Sequence, residues 1–461
     1  MILSNSDQTL YDELKNSSYL SRSNTTVHYS RCPGRISFSK HCDYVNNDLL
    51  YMASDFSIIA ASQVEFKSLD AIQNEDQSNN NKFKIQIHNL NTNFLDFETE
   101  FHEKLLSQHK EQWYFYILKI IELLKAKFPE NVSNISKILL VFNNNLPPAG
   151  GMSSSHALIL STLHSLSNSC KITKYSQILN DIDSASAEEI QEILIFCQEV
   201  EHAKGFKSGL GDQAALLLAK KYKFCFIKIY PELQYSYIDS PENLAFLILP
   251  SLIKAEKSSK EYQNSVKYFE KYNELNDFWF QELTANDSSA FFLGDLLYSH
   301  SSADLLIRIN EIEDEKIRNL SLYALAEGAR LKELKENFSE NKLYSHINLS
   351  HSAEIIDTKY YSRQEELELE SDLSTHVGAY RSSTAVNDAI AMKAMKIDGI
   401  KACSIMGAGL GGNNIALVDF SKINQIIEDL INMYNKSSIL PNIKEKQLLI
   451  NTSSNGLEQI I

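Results

Sequence analysis

Glycine and proline are scarce in this chain, at 15 and 8 of 461 residues. Cysteine is scarcer: Cys32, Cys42, Cys170, Cys197, Cys225 and Cys403 are scattered, with no CxxC spacing. A disulfide framework or a zinc cluster has little to build on, and reduced cytosolic thiols are expected. Long apolar runs are missing. The longest, LAFLILPSLI at 244–253, is too short to cross a bilayer and contains Pro250. There is no basic surplus either: 44 Lys and Arg face 59 Asp and Glu, a net charge of −15. That argues against general binding to nucleic acid or to an anionic membrane. The opening MILSNSDQTLYDELKNSSYL carries acids where a signal peptide has a basic stretch and an apolar core. A cytoplasmic protein is expected, and a monomer.

What is present is a globular balance of 43% hydrophobic and 22% charged residues, on a length that suits two or three domains. Periodicity predicts strands over FSIIAASQVEF (56–66) and KFKIQIH (82–88), joined as a hairpin by the polar stretch NEDQSNNNK. Helical spacing covers 102–128 and 186–203. Buried strands are expected at 135–144, 224–230 and 243–250, and helical stretches from 259 to 345. The Glu-dense region 352–378 reads as a solvated face or loop. IKACSIMGAGLGGNNIALVDF reads as strand, glycine loop, strand, and residues from about Ser437 as a weakly ordered tail.

The scarce residues cluster in LPPAGGMSSSHAL, 146–158. This stretch separates the 135–144 strand from a helix with Ile159, Leu160, Leu163 and Leu166 on one face. A helix N-terminus exposes unpartnered N–H groups and favours anions, and glycines before it admit a phosphate closely. Ser153, Ser154 and Ser155 add hydroxyls. The alternative is a polar turn with a serine cap. RCPGRISFSKHCDYVNNDLLYMA places Arg35, His41 and Asp43 shortly after a Pro-Gly turn, either as phosphate and hydroxyl ligands or as solvated charges. EVEHAKGFKSGLGDQAALLL sets Asp212 between a glycine-rich turn and an apolar helix, as an N-cap or as a carboxylate aimed into a cleft. GAGLGG at 407–412 precedes a strand rather than a helix, so it does not support dinucleotide binding.

The order of these motifs resembles the GHMP small-molecule kinase superfamily, and within it the galactokinase branch, over roughly residues 27 to 420. The resemblance implies an α+β, two-lobed fold. Residues 1–240 would form a nucleotide- and sugar-binding lobe like ribosomal protein S5 domain 2, residues 241–436 a ferredoxin-like lobe, and 437–461 a tail. It implies phosphoryl transfer from ATP, with Mg2+, to the anomeric hydroxyl of galactose or a similar sugar. Pro148, Gly150, Gly151, Met152, Ser153, Ser154 and Ser155 match the ATP-binding loop. Ser155 and Glu201 match magnesium ligands, Asp212 the base and Arg35 its cationic partner. His41, Asp43 and Tyr262 match sugar-binding positions.

Two positions depart from the branch. Lys40 stands where a carboxylate is usual, implying either an acidic C6 group on the sugar, as in a galacturonate-type kinase, or a lysine directed to solvent. A catalytically silent sensor of sugar and ATP is the third possibility. His156 stands where a small residue is usual, and is read as a neutral structural group that meets nucleotide or solvent.

Overall fold

A computed structural model describes residues 5–20, 25–68, 83–91, 93–102, 104–147, 150–205, 208–253, 274–279, 292–355, 372–407, 409–444, 448–451 and 456–460. Two sheets organise it. Strands β1 (His28–Ser37), β2 (Leu49–Phe66), β3 (Lys84–Asn89), β4 (Phe97–Glu100), β5 (Ile135–Asn144), β6 (Lys223–Lys228) and β7 (Gln234–Asp239) form the first, completed by β12 (Glu458–Ile460). Its order is β12-β1-β2-β5-β3-β4, with β6 and β7 continuing from the start of β2. The second is antiparallel, β11-β8-β10-β9, from β8 (Leu244–Pro250), β9 (Ile400–Ile405), β10 (Asn413–Asp419) and β11 (Leu449–Asn451). These sheets and the helices on them are the mixed α+β architecture expected from the sequence.

Period-two patterning explains how both sheets bury two faces. On β5, Ile138, Leu140 and Phe142 enter the main core, while Leu139 and Val141 pack under α1 (Asn5–Lys15) with Leu10 and Leu14. The main core holds α2 (Phe115–Lys127), α3 (Ser154–Ser169), α4 (Thr173–Asn180), α5 (Ala187–Ala203) and α6 (Gly211–Leu218). On β8, Phe246 and Ile248 join that same core, whereas Ala245, Leu247 and Leu249 face α10 (Ala385–Ala394) and α11 (Ile423–Asn435). One apolar interior therefore runs from the first sheet into the second. A third helical group, α7 (Ser302–Glu311), α8 (Glu315–Glu336) and α9 (Glu340–Glu354), has its own cluster around Tyr323 and Leu325.

Four sequence expectations are corrected. The runs at 56–66 and 82–88 do not form a hairpin: β5 inserts between β2 and β3, antiparallel to the first and parallel to the second. Alternation gave the strands but carries no information on which neighbour each takes. Pro33-Gly34 is not a turn; it lies inside β1 at a bulge, where the register with β2 shifts between Pro33 and Arg35. Such a bulge re-aims the following side chain. The helix predicted over 102–128 is confined to Phe115–Lys127, after one short turn at Leu105–Gln108. Finally, the segment after Ser437 is not a loose tail. Within it, β11 pairs with β8, and β12 pairs with β1 through Tyr29, Ser30 and Arg31. Much of the Glu-dense stretch and the loop at 74–82 lie outside the described residues.

Ile460 is buried beside Leu10, Leu14, Ile59 and Leu139. Arg31 is buried too, donating to Asp7 Oδ2 at 2.7 Å, with Glu458 3.6 Å away. Ile460→Ala is expected to cost about 2 kcal/mol, and removal of residues 456–461 more. Thermal denaturation checks this; unchanged melting of the truncated chain would show the strand to be dispensable.

Candidate active site

Arg35 and Asp212 are the centre of the cleft between the sheets. The bulge in β1 directs Arg35 inward, and Asp212 is the second residue of α6. It is not the N-cap that the sequence allowed: Leu210 holds that place. Arg35 Nε donates to Asp212 Oδ1 at 2.8 Å and Nη2 donates to Oδ2 at 3.0 Å, a planar two-point pairing. Arg35 Nη1 donates to the Gly151 carbonyl, and the Arg35 amide to the Met152 carbonyl at 3.1 Å. The guanidinium thus fastens the glycine-serine loop to the carboxylate. Burial alone would push Asp212 up. Arg35 first, then His156 and the hydrogen bonds from Arg35 and Ser153, outweigh it and hold Asp212 below the usual aspartate range.

The loop itself has an unusual entry into α3. Ser153, its N-cap, sits at φ 57°, a left-handed conformation that costs a non-glycine residue about 1–2 kcal/mol. Its hydroxyl does not cap the helix but donates to Asp212 Oδ2. The first turn of α3 therefore has no side-chain cap, which suits an anion ligand. Gly151 is needed for close approach: at φ +74° a Cβ would lie 2.8 Å from the Met406 carbonyl. The glycine loop of the second sheet meets it from the other side, since a Cβ on Gly407 would lie 3.0 Å from Gly151 Cα.

Ser155 and Glu201 are brought together as expected from the sequence. The Ser155 hydroxyl donates to Glu201 Oε1 at 3.1 Å, and Glu201, on α5, is fully buried. Among the described residues no group of three or more His, Cys, Asp or Glu could hold a metal. One hydroxyl and one carboxylate nevertheless fit magnesium, which takes few protein oxygens and keeps water or phosphate for the rest. His156 was missed as a site residue. Its ring does not point to solvent: Nε2 lies 2.8 Å from Glu201 Oε2, and Nδ1 lies 3.8 Å from Asp212 Oδ2.

Beyond the loop, a cleft of about 90 Å³ is lined by Arg35, Lys40, His41, Asp43, Asp212 and Gly407. Asp43 Oδ2 accepts from the Gly211 amide at 3.3 Å. His41 stacks on Tyr380 at 3.8 Å between ring centroids, and its Nε2 is 3.9 Å from Glu354 Oε1. Burial, then the Lys40 cation, push His41 down to about 3, so the ring is neutral. Tyr51 packs 5.9 Å from the Arg35 guanidinium carbon. Tyr51, Tyr380 and Glu354 were not read from the sequence. Glu354 could have been suspected only from its helical continuation of Ser350-His351, and the acid-rich stretch beside it hid that signal.

Lys40 is placed otherwise than either expectation. It is buried and donates to Ser404 Oγ at 2.7 Å. Burial pushes Lys40 down and Glu354 up, and each is partly opposed by the other's charge. Its ammonium is turned into the protein rather than to solvent, and the side chain also lines the cleft. Ser350 donates to Glu327 Oε1 at 2.9 Å, and His351 Nδ1 accepts from the Ile405 amide at 3.3 Å. Tyr262 and Pro148 lie outside the described residues.

The chain matches the family described as the GHMP kinases N terminal domain over residues 116–220. It is 23% identical to a galactokinase from Pyrococcus furiosus over 88% of this chain and 92% of that protein. A galactokinase from Schizosaccharomyces pombe is 26% identical, over 51% of this chain and only 43% of its own length. Among solved structures, the galactokinase of Lactococcus lactis complexed with galactose superposes with a TM-score of 0.69 at 18% identity, covering 99% of this chain and 100% of that one. Residues 116–220 thus match the GHMP kinase N-terminal domain, and the chain shares the fold of a solved galactokinase. Over most of its length its sequence is similar to that of a galactokinase.

Asp43 gives the site a pH signature. Burial, then the charge of Asp212, raise it to about 6, against the pull of the Gly211 amide and Arg35. A carboxyl raised on folding contributes stability that is complete below its unfolded range and is lost as pH rises through about 6. The unfolding free energy of Asp43→Asn should gain on the unsubstituted protein between pH 4 and 7, by at most about 3 kcal/mol. Chemical denaturation across that range measures it; a pH-independent difference would contradict the assignment.

Proposed function

We propose that this protein transfers the γ-phosphoryl group of ATP to the C1 hydroxyl of galactose or a galactose-like sugar. The observation that carries this reading is the pairing of Arg35 with Asp212 at the uncapped start of α3. The first turn of α3, with Gly150, Gly151, Met152, Ser153, Ser154 and Ser155, faces the triphosphate, and Pro148 belongs to the same loop. Asp212, held ionised, accepts a hydrogen bond from the attacking hydroxyl and takes its proton as the new P–O bond forms. Because its affinity for protons is low, that transfer comes late, as suits a loose phosphoryl transition state. Arg35 stays charged and faces the developing negative charge.

Ser155 Oγ and Glu201 Oε1 are the oxygens that would hold Mg2+. When bound, the ion supplies charge neutralisation between the phosphates. Asp43 and neutral His41 offer acceptor and donor groups to sugar hydroxyls, with Tyr262 as a further contact. In this reading residues 1–240 carry the nucleotide and sugar sites and 241–436 close the cleft. Neither a galacturonate-type kinase nor a silent sensor is favoured: the relatives are galactokinases, and the Lys40 ammonium is engaged with Ser404.

All six cysteines are free and buried, which supports a cytoplasmic protein. No helix among the described residues is long and apolar enough to cross a membrane. A monomer completes the proposal.

Release of ADP with a panel of sugars, and NMR of the product for a C1 phosphate, tests the reading. Galactose or a close epimer should be consumed. Asp212→Asn should lower kcat by about 10²- to 10⁴-fold while changing the sugar KM much less. Undiminished turnover by that variant would remove Asp212 from the mechanism.

A further inference from the structure

His156 is the third residue of α3, and its side chain is only 3% exposed. Its neighbour Ser155 donates to Oε1 of Glu201, while His156 Nε2 lies 2.8 Å from Oε2 of the same carboxylate. Adjacent residues of one helical turn therefore grip the two oxygens of one acid. On its far side the ring faces Asp212, with Nδ1 3.8 Å from Oδ2. That separation is too long for a hydrogen bond, whereas at 2.8 Å the ring nitrogen and the carboxylate oxygen are in direct contact. The ring is lodged against Glu201 on one side and stands as a wedge before Asp212 on the other. Without it, two carboxylates would face one another across the cleft.

We infer that His156 is a positioning residue for the metal of bound ATP. By holding Glu201 Oε2 it leaves Oε1, beside Ser155, as the oxygen presented to magnesium. An outer partner of this kind fixes the orientation of a ligand, and its loss lowers metal affinity by about 10- to 100-fold. The inference rests on the kinase reading of Ser155 and Glu201.

The experiment is calorimetric titration of ATP into the full chain at one pH, with EDTA and then over a series of magnesium concentrations. The proteins are the unsubstituted chain, His156→Ala, His156→Gln and His156→Asn. In His156→Ala the magnesium concentration for half-maximal tightening of ATP binding should rise about tenfold or more. ATP affinity in EDTA should change little. A Gln side-chain amide reaches the position of Nε2 and should restore the magnesium response, whereas the shorter Asn should not. If the alanine variant fails to melt cooperatively, the contrast between Gln and Asn decides. An unshifted magnesium midpoint, equal weakening with and without metal, or Gln and Asn behaving alike would each overturn the inference. If ATP binds the unsubstituted chain without any magnesium dependence, the metal assignment of Ser155 and Glu201 falls, and the inference with it.

Discussion

The cleft depends on one ion pair, Arg35 with Asp212. Its partners come from a bulged strand and from the start of a helix nearly 180 residues later. Taking such charges out of water is unfavourable, and removing one partner leaves the other uncompensated, at about 3–5 kcal/mol. The pair is arranged to avoid that. Arg35 has a third acceptor in the Gly151 carbonyl, and Asp212 has a further donor in Ser153. Both extra contacts lie in the glycine-serine loop, so the groups that hold this ion pair also hold the loop. The strained backbone of Ser153 persists because its hydroxyl is held from outside.

A second buried set of charges joins the segment after β1 to the helices of the second half. The Tyr323 hydroxyl, on α8, lies within 3.2 Å of both the Lys40 carbonyl and Glu354 Oε1. Glu354 also accepts from the amide and hydroxyl of Ser382. Glu327 pairs with Arg330 at 2.7 Å, and His346 Nε2 donates to the Phe38 carbonyl at 2.6 Å. Buried ionic groups of this kind add little net stability over an apolar packing. Here they set the position of residues 38–41, and so the approach of His41 to the cleft.

Much of this was legible in the sequence because the chemistry there is local. Ser153 to Ser155 could be placed at a helix start from the apolar spacing behind them, and Arg35, Glu201 and Asp212 from motif order. What the sequence did not reveal depends on partners distant in the chain. Alternation identified the strands at 56–66 and 84–89 but not the β5 insertion between them. Lys40 was open to a substrate carboxylate or solvent, and His156 to nucleotide or solvent, because a short-range pattern does not show a distant protein partner. Their destinations, Ser404 and Glu201, lie 364 and 45 positions away. The terminal strands are only three residues each, too short to give a period.

The late strand β12 has a consequence for how the chain reaches its fold. The other strands of the first sheet are complete by Asp239, whereas the partner of Tyr29, Ser30 and Arg31 begins at Glu458. At a synthesis rate of about 5–20 residues per second, that interval lasts on the order of 10–40 s. Throughout it the nascent sheet carries an open edge, with backbone donors and acceptors ready to pair with any extended peptide. Arg31, set in that edge, meets Asp7 of the amino-terminal helix early, and Glu458 comes within reach only with β12. On the ribosome, the Arg31–Asp7 pair can therefore form long before the permanent neighbour of that strand has been made.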